Sequence, residues 1–212
     1  YTVVRRLDLS RRKTKAITRK TRFSAAALSP DAQKIATVES TSLYESRLVV
    51  VDESNGRTLK TFPSIPANTV TMPRWSDDGK SIVALHTSNG KRSVVKYSLE
   101  DSQPVELVPP TEENIGHPVL HGKYLFHNSP YSGVDNIYVL DTQTGKRFQV
   151  TSSKYGSFNP AISPDGDWIY YNEQTRNGMD VVKVAFEPSF WVPIENVVVR
   201  RLNLYEPLVE QE

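Results

Sequence analysis

The chain has 212 residues, 38% of them hydrophobic and 24% charged, with a net charge of +2 and no cysteine. Such a chain can bury a core without cross-links and is too apolar to be disordered. The missing cysteines exclude disulfides, thiolate metal sites and thiol nucleophiles, no apolar run approaches the ~20 residues of a membrane helix, and the near-neutral charge defines no partner.

Taken in order, residues 2–7 and 14–18 are predicted as two outer strands of an incomplete unit. Tyr1 follows neither an initiator Met nor a signal-peptide pattern, so the chain is expected to be a piece of a longer one, with the missing strands upstream. Four-strand units are predicted over residues 23–62, 69–107 and 116–150. A last unit starts near Ser157, includes residues 168–172 and 180–185, and is expected to take its outer strand from residues 196–202. Blade-like sequence fills residues 1–186. Residues 187–212, with Phe190-Trp191-Val192-Pro193 and Tyr205-Glu206-Pro207-Leu208, read as a strap over the blades or a linker to another domain.

The units are copies of one another. Ser163-Pro164-Asp165-Gly166 precedes an apolar strand, as do Ser76-Asp77-Asp78-Gly79 and Ser29-Pro30-Asp31-Ala32; His121-Gly122 is a reduced fourth copy. The turn residues Ala32, Gly79, Gly122 and Gly166 are spaced 47, 43 and 44 residues apart, and the third residue beyond each is Ile35, Ile82, Leu125 or Ile169. Pro presets the first corner, Asp bonds local backbone, and Gly supplies a positive φ. Ala32 lacks that freedom, which predicts a looser or differently shaped turn. Asp8, Asp52 and Asp141 open a second recurring turn, and Ser98 holds the same place in the unit between.

Four short strands in ~40–45 residues is the arithmetic of a propeller blade, a sheet that hides its faces only by stacking on neighbours. The predicted fold is therefore all-β, a propeller of four-stranded antiparallel blades, about five of them present and six or more in the parent. A β-sandwich also uses many short strands but does not require one turn device at a fixed long period.

The Ser-Pro-Asp-Gly turn, followed by a strand ending in Asp and a Gly turn, resembles the WD40-like (PD40) repeat of TolB-type propellers. Ser163 to Gly166 matches in full, and the other copies match in part. The resemblance implies a non-catalytic propeller, periplasmic or outer-membrane-associated in a Gram-negative bacterium, that binds partner proteins on one face or in its channel. Similar propellers also cover the active sites of prolyl-oligopeptidase-like peptidases, so an accessory, substrate-gating propeller is the alternative. A carbohydrate- or peptide-binding propeller is a third reading.

Candidate chemistry is sparse. There is no Gly-x-Ser-x-Gly elbow and no His-Glu-x-x-His motif. His86, His117, His121 and His127 read as strand and turn residues rather than metal ligands, so no metal and no cofactor is expected. Asp31, Asp78 and Asp165 recur with the repeat, which marks them as turn devices. The basic run Arg5, Arg6, Arg11, Arg12, Lys13, Lys15, Arg19, Lys20 and Arg22 reads as a solvated outer edge; it lacks the aromatic residues of a nucleic-acid surface. The expected binding residues are Arg74, His117 and Asn159 on innermost strands, and Tyr131 in the turn-rich loop of residues 128–135. The expectation is a monomeric domain that binds protein, with no nucleic acid and no membrane span in this chain.

Overall fold

The computed structural model describes residues 1–42, 45–101 and 103–199. Every sheet is antiparallel, and apart from one late addition to the fourth its strands lie side by side in chain order. The first holds β1 (Arg5–Asp8) and β2 (Lys13–Ala16). The second runs β3 (Phe23–Leu28), β4 (Lys34–Ser42), β5 (Glu45–Asp52) and β6 (Thr58–Thr61). The third runs β7 (Thr69–Trp75), β8 (Ser81–Ser88), β9 (Lys91–Ser98) and β10 (Val105–Thr111). The fourth runs β11 (Gly116–His121), β12 (Tyr124–Ser129), β13 (Asn136–Asp141) and β14 (Arg147–Gln149). The fifth holds β15 (Ser157–Ile162), β16 (Trp168–Thr175) and β17 (Gly178–Ala185).

Alternation along the strands stacks the sheets. On β8, Ile82 and Ala84 pack toward the second sheet with Leu48, Val50, Phe62 and Trp75, while Val83 and Leu85 pack toward the fourth with Ile115, Leu120 and Leu125. The same two-residue period sends Phe126, Ile137 and Val139 against Ile169 and Tyr171 of the fifth sheet. Both faces of a middle blade are therefore dry, which is why its strands read as near-continuous apolar runs. The first hairpin caps Phe23, Ile35, Val49 and Val51 through Val4 and Ile17.

One turn chemistry recurs in three sheets. The Ser29, Ser76 and Ser163 hydroxyls donate to Oδ1 of Asp31, Asp78 and Asp165 and accept the backbone N–H of Lys34, Ser81 and Trp168. The Asp Oδ1 atoms in turn accept the N–H of Gln33, Lys80 and Asp167. Those hydrogen bonds hold all three carboxyls below the usual Asp range, the serine bond contributing most. The expectation of a looser turn at Ala32 is overturned. Ala32 adopts φ +56°, beside +65° at Gly79 and +80° at Gly166, and its N–H bonds Ser29 O as theirs bond Ser76 O and Ser163 O. The serine–aspartate network outweighs the strain of a side chain in the left-handed region.

The second turn also repeats. Asp8, Asp52 and Asp141 each accept backbone N–H groups two or three residues on. In the third sheet Ser98 Oγ takes over that role toward Glu100 and Asp101.

The tail corrects the expected outer strand of the last unit. Residues 194–196 form a 3-10 turn, and residues 200–202 lie outside the described residues. The two residues before that turn, β18 (Val192–Pro193), pair with β14, making a fifth strand on the fourth sheet. Trp191 drives this return. It is 7% exposed and packs edge-on against Tyr124, Phe126 and Phe186.

Candidate functional site: inner rim and inter-sheet cleft

The first strands of successive sheets, β3, β7, β11 and β15, touch one another and form the inner wall. Each carries a bulge, seen as a register shift after Ser24, Thr71, Gly116 and Phe158. The next residue is left-handed in every case: Ala25 (φ 58°), Met72 (52°), His117 (52°) and Asn159 (56°). Three of them precede a buried proline, Pro73, Pro118 or Pro160. Proline has no N–H to give a ladder, so inside a sheet it is confined to such irregularities.

Two of the expected binding residues occupy this frame and a third adjoins it. His117 is half-buried, and its N–H donates to Met72 Sδ at 3.3 Å. Burial first, then the Arg74 and Arg92 charges, push its pKa below the ordinary histidine value. Arg74 is exposed, two residues beyond the Met72 bulge, and has no ion-pair partner among the described residues. Arg92 Nη1 is tied to Ile115 O at 2.7 Å. Asn159, at the matching place of the fifth sheet, donates to Asn172 Oδ1 at 3.0 Å.

Tyr131 is not brought to the rim. Its ring packs edge-on against Tyr138 and lies under the Arg147 guanidinium, 5.5 Å away, at the outer side of the fourth sheet. There it borders a group that sequence reasoning missed. Glu113 accepts the Ser129 hydroxyl and pairs with Arg147 at 2.9 Å. With His127 they line a cleft of about 670 Å³ between β10 and the fourth sheet. No local motif announces this group, because Glu113, His127 and Arg147 come from three separate segments.

His121 closes β11, and its Nδ1 lies 2.6 Å from Asp77 Oδ2 in the preceding sheet, off the hydrogen-bond axis. Among the described residues no three His, Asp or Glu side chains converge as a metal site. No helix there is long and apolar enough to cross a membrane.

The stacked sheets and inner wall define the chain as a β-propeller, a fold it shares with solved structures of TolB and of peptidases. The solved structure of TolB from Acinetobacter baumannii superposes with a TM-score of 0.74 at 20% identity, over 90% of this chain and 48% of that one. A puromycin-hydrolyzing peptidase of Mycobacterium tuberculosis superposes with a TM-score of 0.64 at 15% identity, over 90% of this chain and 32% of the peptidase. In sequence, the chain is 24% identical over 158 residues to the uncharacterized peptidase YuxL of Bacillus subtilis, covering 73% of this chain and 22% of YuxL. No protein-family profile matches. The chain thus spans about a fifth of YuxL and about half of the TolB chain.

Proposed function

We propose that this chain is a non-catalytic propeller domain that binds partner proteins at its inner rim, in the cell envelope. The observation behind this reading is the contrast between frame and side chains along the inner wall. The bulge recurs in four sheets and is therefore a device of the fold, but it presents a different group each time: Ala25, Met72, His117 and Asn159. Arg74, without an ion-pair partner among the described residues, stands beside it. Side chains that vary on a rigid repeated frame suit recognition, whereas Asp31, Asp78 and Asp165 repeat unchanged and suit folding. Arg74, His117 and Asn159 are the proposed contacts. The envelope location rests on the resemblance to TolB.

The test uses the full-length protein as bait in envelope extract, with Arg74→Glu and His117→Ala variants alongside. A protein identified by mass spectrometry that is retained by the wild type and lost by both variants supports the reading. Equal retention by all three baits refutes the rim as the contact surface.

The similarity to YuxL favours a second reading, an accessory propeller that gates a peptidase active site. Under it the full-length protein hydrolyses peptides, and Arg74→Glu changes the preference between short and long substrates.

A further inference from the structure

The cleft between the third and fourth sheets lies at the propeller's outer side, away from the rim. Leu107 and Val108 of β10 form one wall, Leu140 of β13 the other, and Ile115 and His127 the floor. Its volume, about 670 Å³, falls within the ~300–1,000 Å³ typical of small-molecule sites. We propose that this cleft binds a small, uncharged, mainly apolar ligand through an N–H or O–H group donated to His127 Nε2.

Three observations converge on that chemistry. His127 is 1% exposed, and its Nδ1 lies 3.3 Å from the Asn128 carbonyl. In the neutral ring Nδ1 therefore carries the hydrogen and Nε2 is left as an acceptor. Nε2 has no hydrogen-bond partner among the described residues, although the ring lines the cleft. Nε2 is not among the sealed, unpartnered polar atoms of the described residues, so it opens onto the cleft, where a ligand donor can take the place of water.

The charges at the cleft are already matched. Arg147 is paired with Glu113 and covered by Tyr131, and Glu113 also accepts from Ser129. An ionic ligand would have to break that pair, so the site selects a neutral one. The β10 edge is also closed to an added peptide strand. Pro109 and Pro110 have no N–H, and the register of β10 slips twice, between Glu106 and Val108 and between Val108 and Thr111.

Indole and 1-methylindole test the inference, because they share an apolar body and differ in the donor. The full chain is titrated with each while the His127 ring nitrogens and the Leu107, Val108 and Leu140 methyls are followed by NMR. Indole is expected to shift Nε2 and those methyls, and to bind about tenfold more tightly than 1-methylindole, the value of one hydrogen bond. His127→Phe keeps the ring shape and should abolish that preference. Leu140→Trp fills the cleft from the opposite wall and should abolish indole binding even if the His127 variant fails to fold. Equal binding of the two compounds, or no movement of Nε2 at saturating indole, overturns the proposal.

Discussion

Lowering the pH from 7 to 5 is expected to remove about 4 kcal/mol of folding stability, through two histidines alone. His86 and His127 are 2% and 1% exposed, and burial pushes both pKa values down to about 4. His86 Nε2 lies 2.5 Å from the Tyr97 hydroxyl, which burial keeps protonated well above its ordinary range. In the unfolded chain each ring titrates near its model value of 6.5. Between pH 6.5 and 4 the unfolded state therefore binds more protons, and stability falls as pH falls. Each unit of pH below 6.5 costs about 1.4 kcal/mol per histidine, hence about 2 kcal/mol apiece by pH 5. His117 shifts in the same direction and adds to the trend. The turn carboxylates cannot mimic the effect. Their pKa values are lowered below 3.8, so the stability they supply is lost only as pH falls further, through their folded values. Urea unfolding at pH 7, 6 and 5 measures the slope, and His86→Gln with His127→Phe should remove most of it. Equal stability at pH 7 and 5 would refute the burial of neutral imidazoles.

Three further outcomes are expected. Ala32→Gly should stabilise the protein by up to ~1 kcal/mol in urea unfolding, since relief of left-handed strain exceeds the added freedom of the unfolded chain. Gly56 and Gly145 hold equivalent places in the second turn of two different sheets with nearly the same φ (+74° and +73°), but a Cβ at Gly56 would stand 2.2 Å from Ile17 O whereas one at Gly145 meets nothing within 4 Å. Gly145→Ala should therefore cost about 1 kcal/mol, while Gly56→Ala should also loosen residues 1–21, read as faster proteolysis of that segment. Trp191→Ala should cost about 3–5 kcal/mol, against almost nothing for Phe190→Ala, whose ring is 77% exposed; matching losses would sink the assigned role of Trp191.

The sheet boundaries were readable because a propeller repeats its turn chemistry, and Ser-x-Asp with a following left-handed residue is a local device. Ala32 misled because a residue-by-residue view of φ ignores the bonds that Ser29 and Asp31 make around it. The inner bulges do leave a signal in the sequence, the prolines after Met72, His117 and Asn159 within strand-like segments. The Glu113–Arg147–His127 group left none, since those residues meet only when the segment between β10 and β11 packs on β12 and β14. Likewise the pairing of Val192 with Gln149 depends on where the Trp191 ring finds an aromatic niche, which no period in the sequence encodes.

That pairing sets the size of the smallest exchangeable piece. The fifth sheet is threaded between β14 and β18, two neighbouring strands of the fourth, so the chain leaves the fourth sheet after Gln149 and returns to it at Val192. A cut at the apparent repeat boundary near Thr151 would strip the fourth sheet of its outermost strand and of Trp191. Recombination between related propellers would therefore have to carry the fourth and fifth units together, through Pro193. Hydrogen exchange should likewise find them opening as one cooperative block, although the sequence counts them as two.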